Sequence, residues 1–219
     1  MTRSDFARLV DHTLLRSNAT EAEIRQLCTE AAENGFAAVS VNPVWASYCA
    51  KQLSETLVKV DACVGFPLGA NSAPMKVEEA KEAVRNGAGE IDMVINLGAL
   101  KSGYHSFVER EISAVVRAVP NIPVKVIFET CFLTRDEKIL LCEMCLRARA
   151  AFVKTSTGFG DGGATVEDVQ LMRDAVGTAA GVKAAGGIRT CQDALSMLQA
   201  GASRIGTSSA LQILAEYDV

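Results

Sequence analysis

Three lysines interrupt apolar stretches of the sequence at equal intervals. Lys125, Lys154 and Lys183 follow one another at spacings of 29 residues, a distance that suits one strand–helix unit. Lysine is seldom buried without a partner, so an apolar setting makes these positions candidates for chemistry. Lys154 and Lys183 are the most prominent, in the segments Ala151-Phe-Val-Lys-Thr-Ser-Thr-Gly and Gly181-Val-Lys-Ala-Ala-Gly-Gly.

The predicted setting of Lys154 and Lys183 suits covalent catalysis. On adjacent strands each ammonium is desolvated beside another, and both effects favour loss of a proton. A neutral amine can then attack an aldehyde or ketone and form a Schiff base. Lys154 is the predicted nucleophile, Lys183 the neighbouring cation, and Asp92 a carboxylate that holds Lys183 or passes protons. The alternative is a structural network of lysine–aspartate ion pairs.

Other polar residues also lie on predicted strands. Reactive groups of a parallel barrel lie at the carboxyl ends of its strands, where Asp11 and Asn42 are further candidates. Lys125 lies nearer the start of its strand, so we expect it to be structural. Glu129, at the end of the same run, is its predicted partner.

Two glycine-rich strand exits predict an anion site. Gly186-Gly-Ile-Arg-Thr190 and Gly206-Thr-Ser-Ser209 each lead into a predicted helix. Backbone N–H groups and helix N-termini at such exits bind phosphate in many barrels. At Gly158, which has no side chain, the backbone can also come close to a bound anion. The alternative is that both glycine pairs form plain turns, and Arg189 either adds positive charge or caps its helix from outside.

Eight β-branched runs alternate with amphipathic segments, a pattern typical of strand–helix units around a parallel sheet. We therefore expect an α/β fold, a (β/α)₈ TIM barrel that forms one catalytic domain over residues 1–219. An open sheet of six or seven strands is the alternative, because the first and last runs are short. The predicted strands are Leu9–Leu14, Ala37–Asn42, Val58–Phe66, Glu90–Asn96, Pro123–Glu129, Ala151–Thr155, Val182–Ala185 and Arg204–Gly206.

Local motifs mark where several helices begin and end. Capping boxes begin at Thr20 and Thr134, and each has a glutamate three residues later. The dipeptides Asn34-Gly35, Asn86-Gly87 and Ala200-Gly201 predict left-handed helix ends. A β-branched residue follows each of these glycines four positions later, which indicates one αβ turn used three times.

The composition narrows the class of partner. A formal net charge of −4 disfavours proteins that bind nucleic acid or anionic lipid, which need clustered cations. We expect a small-molecule substrate, with a homo-oligomer, dimer or tetramer, left open. The first residues lack the apolar core of a signal peptide, and no long apolar run follows, so we expect a cytoplasmic protein. The seven cysteines lie mostly in apolar stretches, which predicts reduced core thiols.

One glycine motif resembles a dinucleotide-binding fingerprint. Gly158-Phe-Gly-Asp-Gly-Gly163 matches G-x-G-x-x-G and follows a predicted strand. The next helix is predicted to begin only at Thr165, so the glycines fall in a loop instead of on a helix N-terminus. We therefore expect no nicotinamide site.

The sequence also offers little for a metal site. Cys142 and Cys145 have metal-like spacing but lie on a predicted apolar helix face, and no second such pair exists. His12 and His105 are far apart in sequence and lack the usual ligand spacings. We expect neither a metal nor another cofactor, and the lysine route requires none.

The sequence resembles the deoxyribose-phosphate aldolase family of class I aldolases. The likeness runs from Asp11-His-Thr-Leu-Leu15 to the end of the eighth predicted strand. Its most specific segments are Glu90-Ile-Asp-Met-Val-Ile-Asn96, Phe152-Val-Lys-Thr-Ser-Thr-Gly-Phe-Gly160, Val182-Lys-Ala-Ala-Gly-Gly-Ile-Arg-Thr190 and Gly201-Ala-Ser-Arg-Ile-Gly-Thr-Ser-Ser209.

The resemblance implies reversible cleavage of 2-deoxy-D-ribose 5-phosphate to acetaldehyde and D-glyceraldehyde 3-phosphate. It implies that Lys154 forms the Schiff base, that Lys183 perturbs the pKa of Lys154, and that Asp92 and Asp11 transfer protons and orient groups. Asp11 is expected near the substrate hydroxyls. The implied phosphate-binding residues are Gly158, Gly186, Gly187, Gly206, Ser208 and Ser209.

Three positions depart from parts of that family. Ala184 stands where many members have proline, which predicts a change in strand stiffness without loss of a functional group. Phe159 stands where longer members have a lysine, which predicts weaker phosphate binding. Tyr217 is third from the end, whereas some members end in a tyrosine that reaches the site, so its place is left open. Two rival functions also stay open: another phosphosugar aldolase or transaldolase-like enzyme, and a phosphosugar-binding barrel without catalysis.

Overall fold

The computed structural model describes residues 1–217, which form a closed barrel of eight parallel strands. Each strand pairs with the next in sequence, and β1 pairs with β8 to close the ring. The predicted barrel is confirmed, and the open-sheet alternative is wrong. The strands are β1 Val10–Leu14, β2 Ala38–Val41, β3 Lys59–Val64, β4 Glu90–Val94, β5 Val124–Ile127, β6 Phe152–Lys154, β7 Gly181–Ala185 and β8 Arg204–Thr207.

Ten α-helices among the described residues accompany the barrel, together with short 3₁₀ turns at Pro43–Trp45 and Thr130–Phe132. No helix in residues 1–217 combines the length and the apolarity needed to cross a bilayer. The helices are α1 Arg3–Ala7, α2 Glu21–Asn34, α3 Ala46–Gln52, α4 Ala73–Arg85, α5 Leu97–Lys101, α6 His105–Ala118, α7 Arg135–Ala148, α8 Val166–Val176, α9 Cys191–Gln199 and α10 Ala210–Glu216.

The predicted helix boundaries are confirmed where local motifs set them. The side chains of Thr20 and Thr134 accept hydrogen bonds from the backbone three residues later, and both capping boxes are complete. Gly35, Gly87 and Gly201 all have positive φ, between 66° and 107°, so each helix ends in the left-handed region that favours glycine. These motifs act within a few residues, which is why they can be read without the tertiary structure.

The apolar core lies between the outer face of the barrel and the helices. Side chains on a strand alternate in direction, so one set faces the helices and the other the barrel interior. Val39, Ile91, Val126 and Val153 belong to the outward set and are completely buried. All seven cysteines are free, and Cys142 and Cys145 of α7 are buried, as predicted.

The barrel interior is unusually rich in charge. Lys154 is the register partner of Lys183, which is in turn the partner of Arg204 on β8. Asp92 is paired in the same way with Lys125. Because register partners in parallel strands point to the same face, these charged side chains meet inside the barrel.

Candidate active site

Lys154 borders a cavity of about 430 Å³ at the carboxyl ends of the strands. The cavity is lined by the exits of β1, β6, β7 and β8, including Thr13, Gly158, Gly187 and Ser208. Lys154 is 3% exposed, whereas Lys125 and Lys183 are completely buried and do not line this cavity. Of the three barrel lysines, only Lys154 is therefore placed to react with a molecule in the cavity.

Asp92 connects all three lysines. Lys154 Nζ and Lys183 Nζ donate hydrogen bonds to Asp92 Oδ2 at 2.6 and 2.7 Å, and Lys125 Nζ donates to Oδ1 at 2.8 Å. Burial raises the pKa of Asp92, but the charges of the three lysines outweigh this effect and hold its pKa well below the ordinary value. The structure thus brings Lys154, Lys183 and Asp92 together, as the sequence predicted.

Lys183 lies deeper in the barrel among three carboxylates. Its Nζ is 2.5 Å from Asp11 Oδ2, 2.9 Å from Asp61 Oδ2 and 2.7 Å from Asp92 Oδ2. Burial lowers the pKa of Lys183, but these carboxylates raise it well above the ordinary value. Lys183 is therefore held as a cation beside Lys154, its register partner on β6.

Asp11 lies below the cavity, away from the position that the resemblance implies. It is completely buried and does not line the cavity. Its Oδ1 accepts a hydrogen bond from Arg204 at 2.7 Å, and its Oδ2 faces Lys183. Burial raises the pKa of Asp11, but Lys183, Lys125 and Arg204 lower it to about 2. This geometry fits a residue that orients Lys183.

Lys125 is part of the same network, and its predicted partner was wrong. Its Nζ lies 2.9 Å from Asp61 Oδ1 and 2.7 Å from Glu90 Oε2, in addition to its bond with Asp92. Glu129 instead accepts hydrogen bonds from the backbone N–H and the hydroxyl of Thr157. Glu129 lies beyond the end of β5 with φ of 57°, and this turn directs its carboxylate towards the loop after β6.

Sequence reasoning missed Asp61, Glu90 and Arg204 as parts of this network. Arg204 NH1 donates to Asp11 and to Glu90 Oε2, the latter at 3.1 Å. Asp61 interrupts the apolar run Val58–Phe66, the same signal that identified Asp92, so it could have been found. Glu90 and Arg204 are the first residues of their predicted strands. A charged residue at that position is equally consistent with the end of the preceding loop.

The loops after β6 and β7 pack through their glycines. A Cβ on Gly163 would lie 2.3 Å from the carbonyl oxygen of Gly186, and a Cβ on Gly186 would lie 3.1 Å from Gly163 Cα. The backbone N–H of Ala164 donates to the Gly186 carbonyl at 3.0 Å. The G-x-G-x-x-G motif lies in this loop, because α8 begins only after its N-cap Thr165. Its glycines permit the close packing of these two loops.

Five of the six predicted phosphate-binding residues line the cavity. They are Gly158, Gly186, Gly187, Gly206 and Ser208. Ser209 lies outside the lining, and its backbone N–H donates to Thr207 Oγ1 at 2.9 Å. Arg189 borders the cavity, while its backbone N–H donates to Asp193 at the start of α9. Arg189 is therefore placed to add positive charge at this end of the cavity, which was one of the two roles considered for it; the other was to cap its helix from outside.

The structure also gives the positions of Phe159, Asn42 and Tyr217. Phe159 lines the cavity and packs edge-on against Phe66, with ring centroids 5.2 Å apart. Asn42 donates to the carbonyl of Leu15 at 3.0 Å and joins the exits of β1 and β2. Tyr217 stacks on Phe6 and donates its hydroxyl to the carbonyl of Met1, so it does not reach the cavity. Asp218 and Val219, the end of the predicted domain, lie outside the described residues.

The histidines are placed apart from the lysine cluster. His12 Nε2 lies 2.6 Å from Glu30 Oε2, and the imidazole packs against Phe36 on the outer side of β1. His105 begins α6. Within residues 1–217, no group of three or more His, Cys, Asp or Glu side chains is placed to hold a metal ion.

The chain is similar to known aldolases over nearly its whole length. Residues 6–216 match the DeoC/LacD family aldolase. A deoxyribose-phosphate aldolase from Thermoanaerobacter sp. (strain X514) is 54% identical over 217 residues, with 98% of this chain and 97% of the relative covered. A deoxyribose-phosphate aldolase from Streptococcus pneumoniae (strain ATCC BAA-255 / R6) is 55% identical over 207 residues, with 94% of each chain covered. The tetrameric deoxyribose-phosphate aldolase structure from Aeropyrum pernix has a TM-score of 0.92 at 35% identity, covering 99% of this chain and 92% of that one.

Proposed function

The chain belongs to the DeoC/LacD family of aldolases, and from this premise we propose how its barrel works. It is a deoxyribose-phosphate aldolase, a carbon–carbon lyase that reversibly cleaves 2-deoxy-D-ribose 5-phosphate to acetaldehyde and D-glyceraldehyde 3-phosphate. Full-length relatives of that name at 54–55% identity support this assignment. Residues 1–219 act as one catalytic domain, and Lys154 is the Schiff-base residue.

The observation that carries this proposal is the position of Lys154 between a buried charge network and an open cavity. Its Nζ is held 2.6 Å from Asp92 Oδ2, and the residue also borders the cavity. The cations at Lys125 and Lys183 lie behind it, out of contact with the cavity. Asp92 accepts a hydrogen bond from this amine and orients it towards the cavity.

The proposed reaction proceeds through covalent intermediates on Lys154. The neutral amine adds to the substrate aldehyde carbon, and loss of water from the carbinolamine gives an iminium. As the C3 hydroxyl gives its proton to Asp92, the iminium accepts the electron pair of the breaking carbon–carbon bond, so glyceraldehyde 3-phosphate leaves and an enamine remains. Protonation of the enamine and hydrolysis of the resulting iminium release acetaldehyde and free Lys154. Asp92 is the proton-transfer group next to the reacting nitrogen.

The phosphate is proposed to bind at the glycine-rich side of the same cavity. Gly158, Gly186, Gly187, Gly206 and Ser208 line it, and their backbone approaches a ligand without obstruction by large side chains. Arg189 adds a cation there. Phe159 supplies an apolar wall instead of a further charge.

Borohydride trapping tests the nucleophile directly. Incubation with acetaldehyde or deoxyribose 5-phosphate, followed by reduction and peptide mass mapping, is expected to place one adduct on Lys154. Lys154→Ala is expected to keep the fold and lose the adduct and essentially all aldolase activity. An adduct at Lys183 or Lys125, or the absence of any adduct, would contradict the proposal.

Two measurements separate this function from its rivals. Turnover with acetaldehyde as the nucleophile, and not with dihydroxyacetone-type donors, is expected for the proposed enzyme. Exchange of acetaldehyde α-protons with solvent is expected for a catalyst and not for a barrel that only binds phosphosugars. Activity is expected to survive treatment with a chelator, because the lysine route uses no metal. Loss of activity under chelation would contradict that route.

A further inference from the structure

Asp61 is a completely buried carboxylate that the proposed mechanism does not use. Its Oδ2 accepts hydrogen bonds from Ser40 Oγ and Lys183 Nζ, both at 2.9 Å, and its Oδ1 lies 2.9 Å from Lys125 Nζ. It does not line the cavity. Asp61 can therefore influence the reaction only through the lysines that it contacts.

The charges in the barrel interior form a balanced set. Among the described residues, four cations and four carboxylates are joined by contacts of 4 Å or less: Lys125, Lys154, Lys183 and Arg204 with Asp11, Asp61, Glu90 and Asp92. When all are ionised, the set is neutral. If Lys154 alone loses its proton, one negative charge is left unbalanced in a buried site, which is costly. A carboxylate that takes up this proton restores neutrality.

Asp61 is the carboxylate whose surroundings favour the protonated form. Burial and the charge of Asp92 raise its pKa, in spite of Lys125 and Lys183. The pKa values of Asp11 and Asp92 are instead lowered. Asp61 Oδ2 and Asp92 Oδ2 lie 2.9 and 2.7 Å from the same Lys183 Nζ, so the two carboxyl groups are close enough for the charge of one to disfavour ionisation of the other.

We propose that Asp61 is a positioning residue that holds the proton released by Lys154 and returns it when Lys154 becomes a cationic iminium. This inference rests on the proposed Schiff-base function. Asp61 then keeps the interior neutral in both states. The neutral amine coexists with a protonated Asp61, and the iminium coexists with an ionised Asp61.

A continuous path of hydrogen bonds connects the two groups. Lys154 Nζ is 2.6 Å from Asp92 Oδ2, which is 2.7 Å from Lys183 Nζ, which is 2.9 Å from Asp61 Oδ2. Lys154 passes a proton to Asp92, Lys183 passes one to Asp61, and Asp92 then transfers its proton to Lys183. The reverse sequence supplies the proton with which the carbinolamine hydroxyl leaves as water. Only protons move, and the total is conserved.

The groups that face Asp61 come from every strand in contact with it. Ser40 on β2, Asp92 on β4, Lys125 on β5 and Lys183 on β7 surround its carboxyl group. Asp11 on β1 acts on it through charge. Cys63, on the same strand, has a pKa raised to about 12, mainly by burial, and stays neutral.

Infrared difference spectroscopy tests the proton position. Spectra of the whole enzyme with and without acetaldehyde, with ¹³C-labelled aspartate to assign the band, are expected to show loss of one protonated aspartic acid band as the iminium forms. In Asp61→Asn this loss is expected to vanish, whereas the exposed control Asp136→Asn is expected to keep it. No band loss in the wild-type enzyme, or the same loss in Asp61→Asn, would overturn the proposal.

Two additions keep this test decisive. If Asp61→Asn does not fold, Ser40→Ala removes the donor to Asp61 Oδ2 and is expected to shift the same band; an unshifted band overturns the proposal. Mass mapping after borohydride treatment of a parallel sample separates the two hypotheses. An adduct on Lys154 without band loss refutes only the role of Asp61, whereas the absence of an adduct refutes the Schiff-base function itself.

Discussion

Lys154 and Lys183 occupy equivalent positions on neighbouring strands, yet their surroundings differ. Lys183 lies among three carboxylates that hold it as a cation, whereas Lys154 has one direct carboxylate contact and faces the cavity. The number of carboxylates around each amine therefore distinguishes a lysine held by ion pairs from one that a molecule in the cavity can reach. This division needs both residues, so a change at Lys183 should alter the chemistry of Lys154.

Replacing Lys183 with methionine tests that coupling. Removal of the cation leaves Asp11, Asp61 and Asp92 with excess negative charge next to the amine that is proposed to attack the carbonyl. We expect kcat/KM at neutral pH to fall about 100-fold and the acid limb of its pH profile to move to higher pH. Breaking this buried network is also expected to lower the free energy of unfolding by about 3–5 kcal/mol.

Lys183→Arg is the matched control, because it keeps the positive charge. Its acid limb is expected to stay near that of the wild-type enzyme even if kcat changes. An unshifted acid limb in folded Lys183→Met would show that the charge of Lys183 does not tune Lys154. Denaturant titration of both variants establishes that the pH profiles come from folded protein.

The phosphate side of the cavity depends on how two loops pack. The loop after β6 reaches the loop after β7 through Gly163 and Gly186, with space for no side chain between their backbones. Thr207 Oγ1 joins the loops after β7 and β8, because it donates to the carbonyl of Ile188 at 2.7 Å. The backbone groups proposed to bind phosphate are thus fixed by neighbouring loops.

Gly163→Ala is expected to weaken phosphate binding. Its Cβ would lie 2.3 Å from the Gly186 carbonyl oxygen, so the two loops must separate. We expect KM for deoxyribose 5-phosphate to rise at least about 10-fold, equivalent to about 1.4 kcal/mol, with a smaller change for unphosphorylated deoxyribose. Steady-state kinetics with both substrates measures the difference.

Gly98→Ala is the control for Gly163→Ala. A Cβ at Gly98, on α5, meets only the Asn96 side chain at an ordinary 3.6 Å. We expect its KM values to match those of the wild-type enzyme. Equal effects of Gly163→Ala on both substrates would argue against a phosphate role for these loops.

At the scale of the whole molecule, the charged interior connects every strand of the barrel. Asp11, Asp61, Glu90, Asp92, Lys125, Lys154, Lys183 and Arg204 come from seven strands, and Ser40 on β2 completes the ring through Asp61. Many barrels fill this space with apolar layers. Here the ionisation of the interior is linked to closure of the barrel, so stability should depend on pH.

Acid should weaken the fold in a defined range. The pKa of Asp11 is lowered from 3.8 to about 2 in the folded chain. Its carboxylate therefore stabilises the folded chain fully at pH values above 3.8, and this stabilisation is lost as the pH falls towards 2. We expect this group to contribute roughly 2 kcal/mol of acid sensitivity between about pH 5 and pH 2. Urea unfolding of the wild-type enzyme and Asp11→Asn across this range measures it.

Asp11→Asn is expected to be less stable at neutral pH but less sensitive to acid. The asparagine cannot ionise, so its contribution does not change with pH. Parallel curves of unfolding free energy against pH for the two proteins would show that Asp11 carries no folded-state pKa shift. A neutral control at the surface, Asp136→Asn, should follow the wild-type curve.

The sequence by itself determined the barrel, its strands to within about two residues, and the meeting of Lys154, Lys183 and Asp92 in its interior. These features depend on local patterns: β-branched runs, capping boxes, glycine helix ends and a lysine between apolar neighbours. Such patterns act over a few residues or repeat with each strand–helix unit, so they can be recognised in the sequence alone. The roles of Lys154, Lys183 and Asp92 in the reaction remain proposals.

Only the tertiary structure decided how deeply each charged side chain is buried and which residues it contacts. It showed that Lys154 borders the cavity while Lys183 does not, that Lys125 pairs with Asp61 and Glu90 instead of Glu129, and that Tyr217 packs at Phe6. Burial and ion pairing depend on strand register and on side chains up to 193 residues apart, as for Asp11 and Arg204. A local sequence pattern cannot predict such contacts, because residues so far apart in sequence meet only when the barrel closes.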